Sequence, residues 1–322
     1  MNAPLLLSAE EAAPRISRLI DNVDSVFQGK PAAVKLATTC LLAGGHLLVE
    51  DVPGVGKTLL ARALAVSVGL KFSRIQFTSD LLPADIVGVN VYDQKSSEFR
   101  FKPGPIFANV VLADEINRTA PRTQSSLLEA MSERQVSIDD KTYVLDPPFI
   151  VIATQNPLES HGTYPLPESQ LDRFLIRMSV GYPTREVERA ILVERGGEDP
   201  LDSISAVLKP GELLALQNAV NNVRFEPRLA DYLMDIVEAT RSTVRLSVGV
   251  STRGALALQR ACRAAALVEG RGHVLPDDVK AMVVPVLSHR VSLGSGETVV
   301  GSSRRAAEAL LQEIISHIEV PL

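Results

Sequence analysis

The sequence predicts an α/β domain, a parallel β-sheet sandwiched by helices and carrying two hairpin insertions, followed by an all-helical domain. Three observations carry this. A glycine-rich turn, Asp51-Val52-Pro53-Gly54-Val55-Gly56-Lys57-Thr58, stands between a short apolar strand and a helical run, the way a parallel α/β unit opens. Val110–Ala113 and Phe149–Ala153 are nearly continuous apolar runs, as expected of strands covered on both faces. Beyond Gly181-Tyr182-Pro183-Thr184 the strand signals fade and helical periodicity takes over. A chain of 322 residues has room for about two domains of ~150 residues each. We place their boundary there, with an α/β domain over residues 1–183 and a helical domain over residues 184–322.

Each element has its own signal. Ile16, Leu19, Ile20, Val23 and Val26-Phe27 have helical spacing over residues 9–28, and a second helix over Pro31–Ala43 ends at Gly44-Gly45, where a left-handed turn costs little. His46–Glu50 is the first strand and Leu59–Val68 the helix after the glycine turn. Phe72–Phe77, Val110–Ala113, Phe149–Ala153 and Phe174–Val180 read as further strands. Arg122–Ser132 is helical, with Leu127, Leu128 and Met131 on one face. Two alternating stretches predict hairpins: Val89–Tyr92 with Glu98–Phe101, and Gln135–Ile138 with Thr142–Leu145, turning at Asp139-Asp140-Lys141. Thr184 is placed to cap a helix starting at Arg185. Helical patterns then recur over 186–195, 210–222, 227–240, 252–269, 276–288 and 304–318.

Composition narrows the function classes. Hydrophobic residues at 46% and charged residues at 22% exclude wholesale disorder. Net charge is −5, with 17 basic and 20 acidic residues in 1–180 and 16 and 18 in 181–322, so neither half advertises a nucleic-acid footprint. Cys40 and Cys262 lie in apolar helical runs. They exclude a disulfide framework and a cysteine zinc site, and read as buried thiols. His46, His161, His273, His289 and His317 share no metal-ligand spacing. Leu5-Leu6-Leu7 is followed at once by Glu10 and Glu11 and preceded by no cationic segment, unlike a signal peptide. No apolar stretch approaches the ~18 residues of a membrane span. A cytoplasmic protein without membrane insertion is expected.

The chemistry begins at the glycine turn. Glycines let backbone N–H groups turn toward one point, and the following helix adds its positive end, so a polyphosphate is favoured there. Pro53, Gly54, Val55, Gly56, Lys57, Thr58 and Leu59 form this cradle. Lys57 would reach the β- and γ-phosphates, and the Thr58 hydroxyl would ligate Mg²⁺. The usual pattern has glycine where this chain has Asp51, a departure that matters only if that position needs a positive φ. Val110–Ala113 ends in Asp114-Glu115. Asp114 would hold the Mg²⁺, and Glu115 would orient and deprotonate an attacking water. Asn156, at the tip of Phe149–Ala153, could bond that water or the γ-phosphate.

These elements in this order resemble an AAA+ ATPase and, more narrowly, the MoxR family. The resemblance rests on Gly45-His46-Leu47-Leu48-Val49-Glu50 running into the glycine turn, Asp114-Glu115-Ile116-Asn117-Arg118, Ala153-Thr154-Gln155-Asn156-Pro157 and Tyr164-Pro165-Leu166-Pro167-Glu168-Ser169-Gln170-Leu171-Asp172-Arg173-Phe174. It spans roughly residues 15–320. It implies an AAA+ P-loop domain with a helical lid and the cofactors ATP and Mg²⁺. It also implies a homo-oligomer, a hexameric ring, that acts as a chaperone-like remodelling or maturation factor on client protein complexes. A partner bearing a von Willebrand factor A domain is implied as well. By the same resemblance Arg173 is an arginine finger reaching a neighbour's site. Arg253, in Ser251-Thr252-Arg253, is a second-sensor arginine, acting in its own or an adjacent subunit. Arg241, Arg245, Arg260 and Arg263 crowd the same region, where surface ion pairing is the expected role of most. Two other readings share the architecture: a nucleic-acid-stimulated motor, disfavoured by the acidic Asp139-Asp140 turn, and the motor subunit of a metal chelatase. A pure nucleotide-binding switch would not require Glu115, Asn156 and Arg173 together.

Overall fold

The structure is a computed structural model that describes residues 7–139, 141–157, 162–194, 199–209, 211–294 and 300–321. Leu5, Leu6, Asp140 and His161 lie outside the described residues. Two helices, α1 (Ala9–Asp24) and α2 (Pro31–Leu42), lead into β1 (Leu47–Glu50), α3 (Lys57–Ser67) and β2 (Phe72–Gln76). A short α4 (Pro83–Val87) precedes the hairpin β3 (Gly88–Asp93) and β4 (Glu98–Pro103). Then come β5 (Val110–Asp114), α5 (Pro121–Glu133), the hairpin β6 (Gln135–Ile138) and β7 (Lys141–Val144), and β8 (Ile150–Gln155). α6 (Glu168–Leu171) and β9 (Ile176–Met178) complete this part. Among the described residues six further α-helices follow: α7 (Arg185–Glu194), α8 (Glu212–Asn222), α9 (Pro227–Ser242), α10 (Thr252–Val268), α11 (Pro276–Leu287) and α12 (Val300–His317).

The five expected strands form one sheet in the order β2-β5-β8-β1-β9, every pair parallel. Its two faces can be read from the period of two in the strands. Leu47, Val49, Val110, Leu112, Ile150 and Ile152 point into one buried cluster with α1, α2 and α3. The alternate residues Leu48, Val111, Ala113, Val151 and Ala153 point into a second with Leu127, Leu128 and Met131 of α5. Helices therefore cover both faces, as the apolar runs required. The first cluster continues through α1 and α2 to Leu216 of α8, Ile236 of α9, Leu258 of α10 and Val283 of α11. The C-terminal helices thus rest on the helices that rest on the sheet.

Among its described residues the C-terminal region is mainly helical, with a small ribbon added. Leu246–Val248 (β10) and Ser292–Leu293 (β11) pair as a small antiparallel ribbon. Three and two residues are too short to show a period of two in the sequence. The hairpins lie against each other: Phe101 of β4 stacks on Tyr143 of β7 at 4.1 Å, and Asn90 donates to Asp139 at 2.6 Å. Both thiols are buried, and burial pushes Cys40 up to about 12.

His46 ties the second layer to the sheet. Its Nδ1 accepts from the Val151 N–H at 3.0 Å, so Nε2 carries the proton and donates to the Met131 carbonyl at 3.1 Å. Burial lowers its pKa to about 4, against ~6.5 in an unfolded chain. The unfolded state binds the extra proton first, so this contribution is whole above pH ~6.5 and is lost as pH falls toward 4. The full shift corresponds to about 3 kcal/mol. Urea unfolding at pH 7.5 and pH 5 should show a loss that His46→Gln markedly reduces; an equal loss in both proteins would remove His46 from the account.

Candidate phosphate-binding site

The glycine turn follows β1 at the carboxyl end of the sheet. Gly54 and Gly56 have φ of 86° and 89°, a left-handed conformation in which glycine carries no Cβ penalty. Gly56 stands at the N-cap of α3, and no side chain caps that terminus. The first N–H groups of the helix therefore remain directed at an incoming anion. Asp51 is absent from the positive-φ residues, so this position does not need glycine. The carboxylate has a structural job instead. It accepts from Val52 N at 2.8 Å, Val180 N at 2.7 Å and Gly181 N at 2.6 Å, pinning the loop to the end of β9.

Lys57 closes the loop from within, donating to the carbonyls of Asp51 at 2.7 Å and Val52 at 2.9 Å. Burial lowers its pKa, while Asp51, Asp114 and Glu115 act in the opposite direction. The ammonium and the two strand-end carboxylates thus share one electrostatic site. Pro53 and Gly54 are exposed and Val55 is buried, while Thr58 and Leu59 are half-buried on the first turn of α3.

At the end of β5 the two carboxylates are held differently. Asp114 is buried and accepts from Arg74 Nε at 3.1 Å, Arg74 Nη2 at 2.6 Å and the Thr154 hydroxyl at 2.6 Å. Glu115 has φ 58°, an uncommon conformation for a side-chain-bearing residue that turns it away from the strand direction. Its N–H donates to Thr154 Oγ1 at 2.9 Å, and its carboxylate takes Gln76 Nε2 at 3.0 Å and Arg118 Nε at 3.2 Å. Thr154 therefore fixes both acidic residues at once. Asn156, buried immediately after β8, stands at the tip of the strand beside β5.

The donor set fits Mg²⁺. A carboxylate offers about four lone-pair directions; Asp114 uses three, leaving one for a metal-bound water. Together with the Thr58 hydroxyl it gives the few hard oxygen ligands that Mg²⁺ takes beside phosphate. No cluster of three or more His, Cys, Asp or Glu ligands occurs among the described residues.

Arg173 and Arg253 are not at this site. Arg173 Nη1 donates to the Leu128 carbonyl at 2.6 Å and to Ser132 Oγ, both on α5. It stands before β9, whereas the glycine turn touches the residues after it. Extended chain from Ile176 to Val180 alone spans about 13 Å. Arg253 lies 3.4 Å from Asp172 and is 65% exposed. Asp172 is held mainly by the buried Arg290, whose Nε is at 2.7 Å and which also donates to the Asp172 and Phe174 carbonyls. The expected ion pairing of the neighbouring arginines holds only for Arg245, with Glu313 at 2.7 Å. Arg241 donates to the Val250 carbonyl, and Arg260 and Arg263 have no carboxylate within ion-pair reach among the described residues.

Arg74, Gln76, Thr154 and Arg290 were not foreseen from the sequence. Thr154 left a trace, a hydroxyl at the end of an apolar run. Arg74 and Gln76 acquire meaning only through the register that sets Gln76 opposite Asp114.

Comparison with known proteins agrees with this geometry. Residues 46–176 match the model of the ATPase family associated with various cellular activities, and residues 238–314 match an AAA lid domain. The chain is 45% identical to the uncharacterized protein YeaC of Bacillus subtilis, over 97% of each chain. It is 44% identical to the chaperone MoxR1 of Mycobacterium tuberculosis, over 86% of this chain and 76% of that one, and 30% identical to the protein MoxR of Paracoccus denitrificans over 93% and 94%. A crystal structure from Cytophaga hutchinsonii, of a protein provisionally assigned as an ATPase, superposes with a TM-score of 0.88 at 36% identity, covering 98% of this chain and 97% of that one. With the glycine turn, the strand-end carboxylates and the helical lid in their places along the whole chain, it belongs to the MoxR family of AAA+ ATPases.

Proposed function

We propose that the chain binds ATP with Mg²⁺, hydrolyses it, and uses the cycle as a homo-oligomeric ring, hexameric by family resemblance, to remodel or mature client protein complexes. The observation that carries this is the gathering of Lys57, Asp114 and Glu115 at one end of the sheet with Arg173 at the other. The arginines at this end, Arg74 and Arg118, are paired with Asp114 and Glu115, and the charge-stabilising arginine of this reading is Arg173 of a second copy. Backbone N–H groups of Gly54–Leu59 would cradle the phosphates, with Pro53 shaping the turn, and Lys57 would move from its loop carbonyls onto them. Thr58 and Asp114 would hold Mg²⁺, which when bound neutralises charge on the β- and γ-phosphates. Glu115 takes the proton of the attacking water while Asn156 helps orient it. Arg253, on the same side as Arg173 through Asp172, belongs in this reading to the set presented to the neighbour. A protein with a von Willebrand factor A domain is the proposed partner, the cytoplasm the proposed place, and residues 183/184 the proposed domain boundary.

The test is the ATPase rate per subunit across a dilution series. It is expected to climb with protein concentration and then level off as subunits assemble. A rate independent of concentration, in a protein that light scattering shows to be monomeric throughout, would end the shared-site reading.

A further inference from the structure

Glu50 is the last residue of β1 and immediately precedes the glycine turn. Its carboxylate belongs to a partly buried cluster of four charges, of which Arg177 is the most buried. Glu50 and Arg177 come from the neighbouring strands β1 and β9; Arg304 and Glu308 come one turn apart from α12, the last helix. Arg304 Nη1 donates to Glu50 Oε2 at 3.0 Å and lies 3.4 Å from the Glu50 carbonyl, while its Nε donates to Glu308 at 2.9 Å.

Arg177 is the more distant cation for both carboxylates. Its Nε is 3.8 Å from Glu50 and its Nη2 3.5 Å from Glu308. The side chain is only 8% exposed, and Nε has no hydrogen-bond partner among the described residues. A buried charge is costly unless it is both paired and hydrogen-bonded. The cluster is therefore neutral in sum but unevenly shared: α12 holds Glu50 through Arg304, and the alternative partner stands beside it in the sheet, under-bonded. Withdrawal of α12 leaves Arg177 as the nearest cation of Glu50 in this cluster. The next residue along the chain is Asp51, whose carboxylate anchors the glycine turn to Val180 and Gly181.

We propose that Arg304 makes α12 a positioning element for the glycine turn. Docked, α12 keeps Glu50 on Arg304 and the turn shaped for phosphate; undocked, Glu50 passes to Arg177 and nucleotide affinity falls. The inference rests on the nucleotide reading above and adds a way of regulating that site: a macromolecule that pulls on the C-terminal helix loosens nucleotide. Coupling of this kind is reciprocal, so nucleotide must also hold α12 down.

The experiment uses the full chain and a non-hydrolysable ATP analogue with Mg²⁺. Analogue affinity is measured by calorimetry, and amide hydrogen exchange of α12 is followed with and without analogue. Arg304→Gln is expected to weaken binding about tenfold, within the ordinary range of coupling between sites, and to abolish the slowing of α12 exchange that the analogue produces in the parent. Arg304→Lys, keeping the charge, should restore much of both, and Arg305→Gln, at an exposed neighbouring position, should change neither. Unchanged affinity in Arg304→Gln overturns the proposal. So does α12 exchange in the parent that ignores the analogue, since a merely structural ion cluster gives that result. Lys57→Ala separates the two readings: if it binds as tightly as the parent, the nucleotide reading falls and this one with it.

Discussion

Arg173→Ala is expected to lower the ATPase rate by about 10³–10⁵-fold, the range over which a finger arginine stabilises the transferring phosphoryl group, while analogue binding by the same chain stays near parental. The guanidinium is tied to the end of α5, at Leu128 and Ser132, and lies across the length of β9 from its own glycine turn. A merely structural role predicts something else. Loss of the charge-assisted bond to the Leu128 carbonyl should cost stability by about 1.5–3 kcal/mol and leave the rate alone. Mixing discriminates further. Arg173→Ala subunits keep Glu115, and Glu115→Gln subunits keep Arg173, so a randomly mixed ring regains activity at roughly a quarter of its sites through heterologous contacts. A mixture as inactive as its components, with mixed rings verified by mass, would contradict action between subunits.

The parts of this site that could be read from the sequence are those with a local cause. The glycine turn announces itself because left-handed backbone at Gly54 and Gly56 is available to few other residues, and Asp114-Glu115 because two carboxylates end an otherwise apolar strand. The five strands were legible for the same reason, since burial on both faces leaves an apolar run. What stayed hidden is held by partners distant in the chain. Asp51 read only as a departure from the usual glycine and proves to be the turn's fastening, through Val180 and Gly181. Arg74 lies 40 residues before Asp114, and Arg290 reaches Asp172 across 118 residues; nothing at positions 74 or 290 alone suggests either. The family resemblance assigns Arg173 its role, while its distance from the turn is a property of the parallel sheet, visible only once β9 is placed beside β1.

Glu115→Gln should reduce hydrolysis by about 10²–10⁴-fold, the range ordinarily supplied by a positioned base, with nucleotide bound and retained. The substitution keeps the size of the side chain and an oxygen for Gln76 and Arg118 to donate to, so the left-handed turn and its bond to Thr154 should persist. The ability to take a proton is lost, together with the negative charge that Arg118 and Lys57 face. Thr154→Val tests how that base is held. It removes the hydroxyl that accepts from the Glu115 N–H and donates to Asp114, leaving a buried carboxylate oxygen short of a donor. Its rate should fall too, though less than in Glu115→Gln, and unlike that variant it should disturb the Mg²⁺ dependence of analogue binding, because Asp114 loses a fixed orientation. The pair of results separates chemistry from placement. Were Glu115→Gln to hydrolyse ATP at the parental rate, the base would have to be another group. The strained backbone at position 115 would then serve only to present Asp114, which Thr154 and Arg74 already hold.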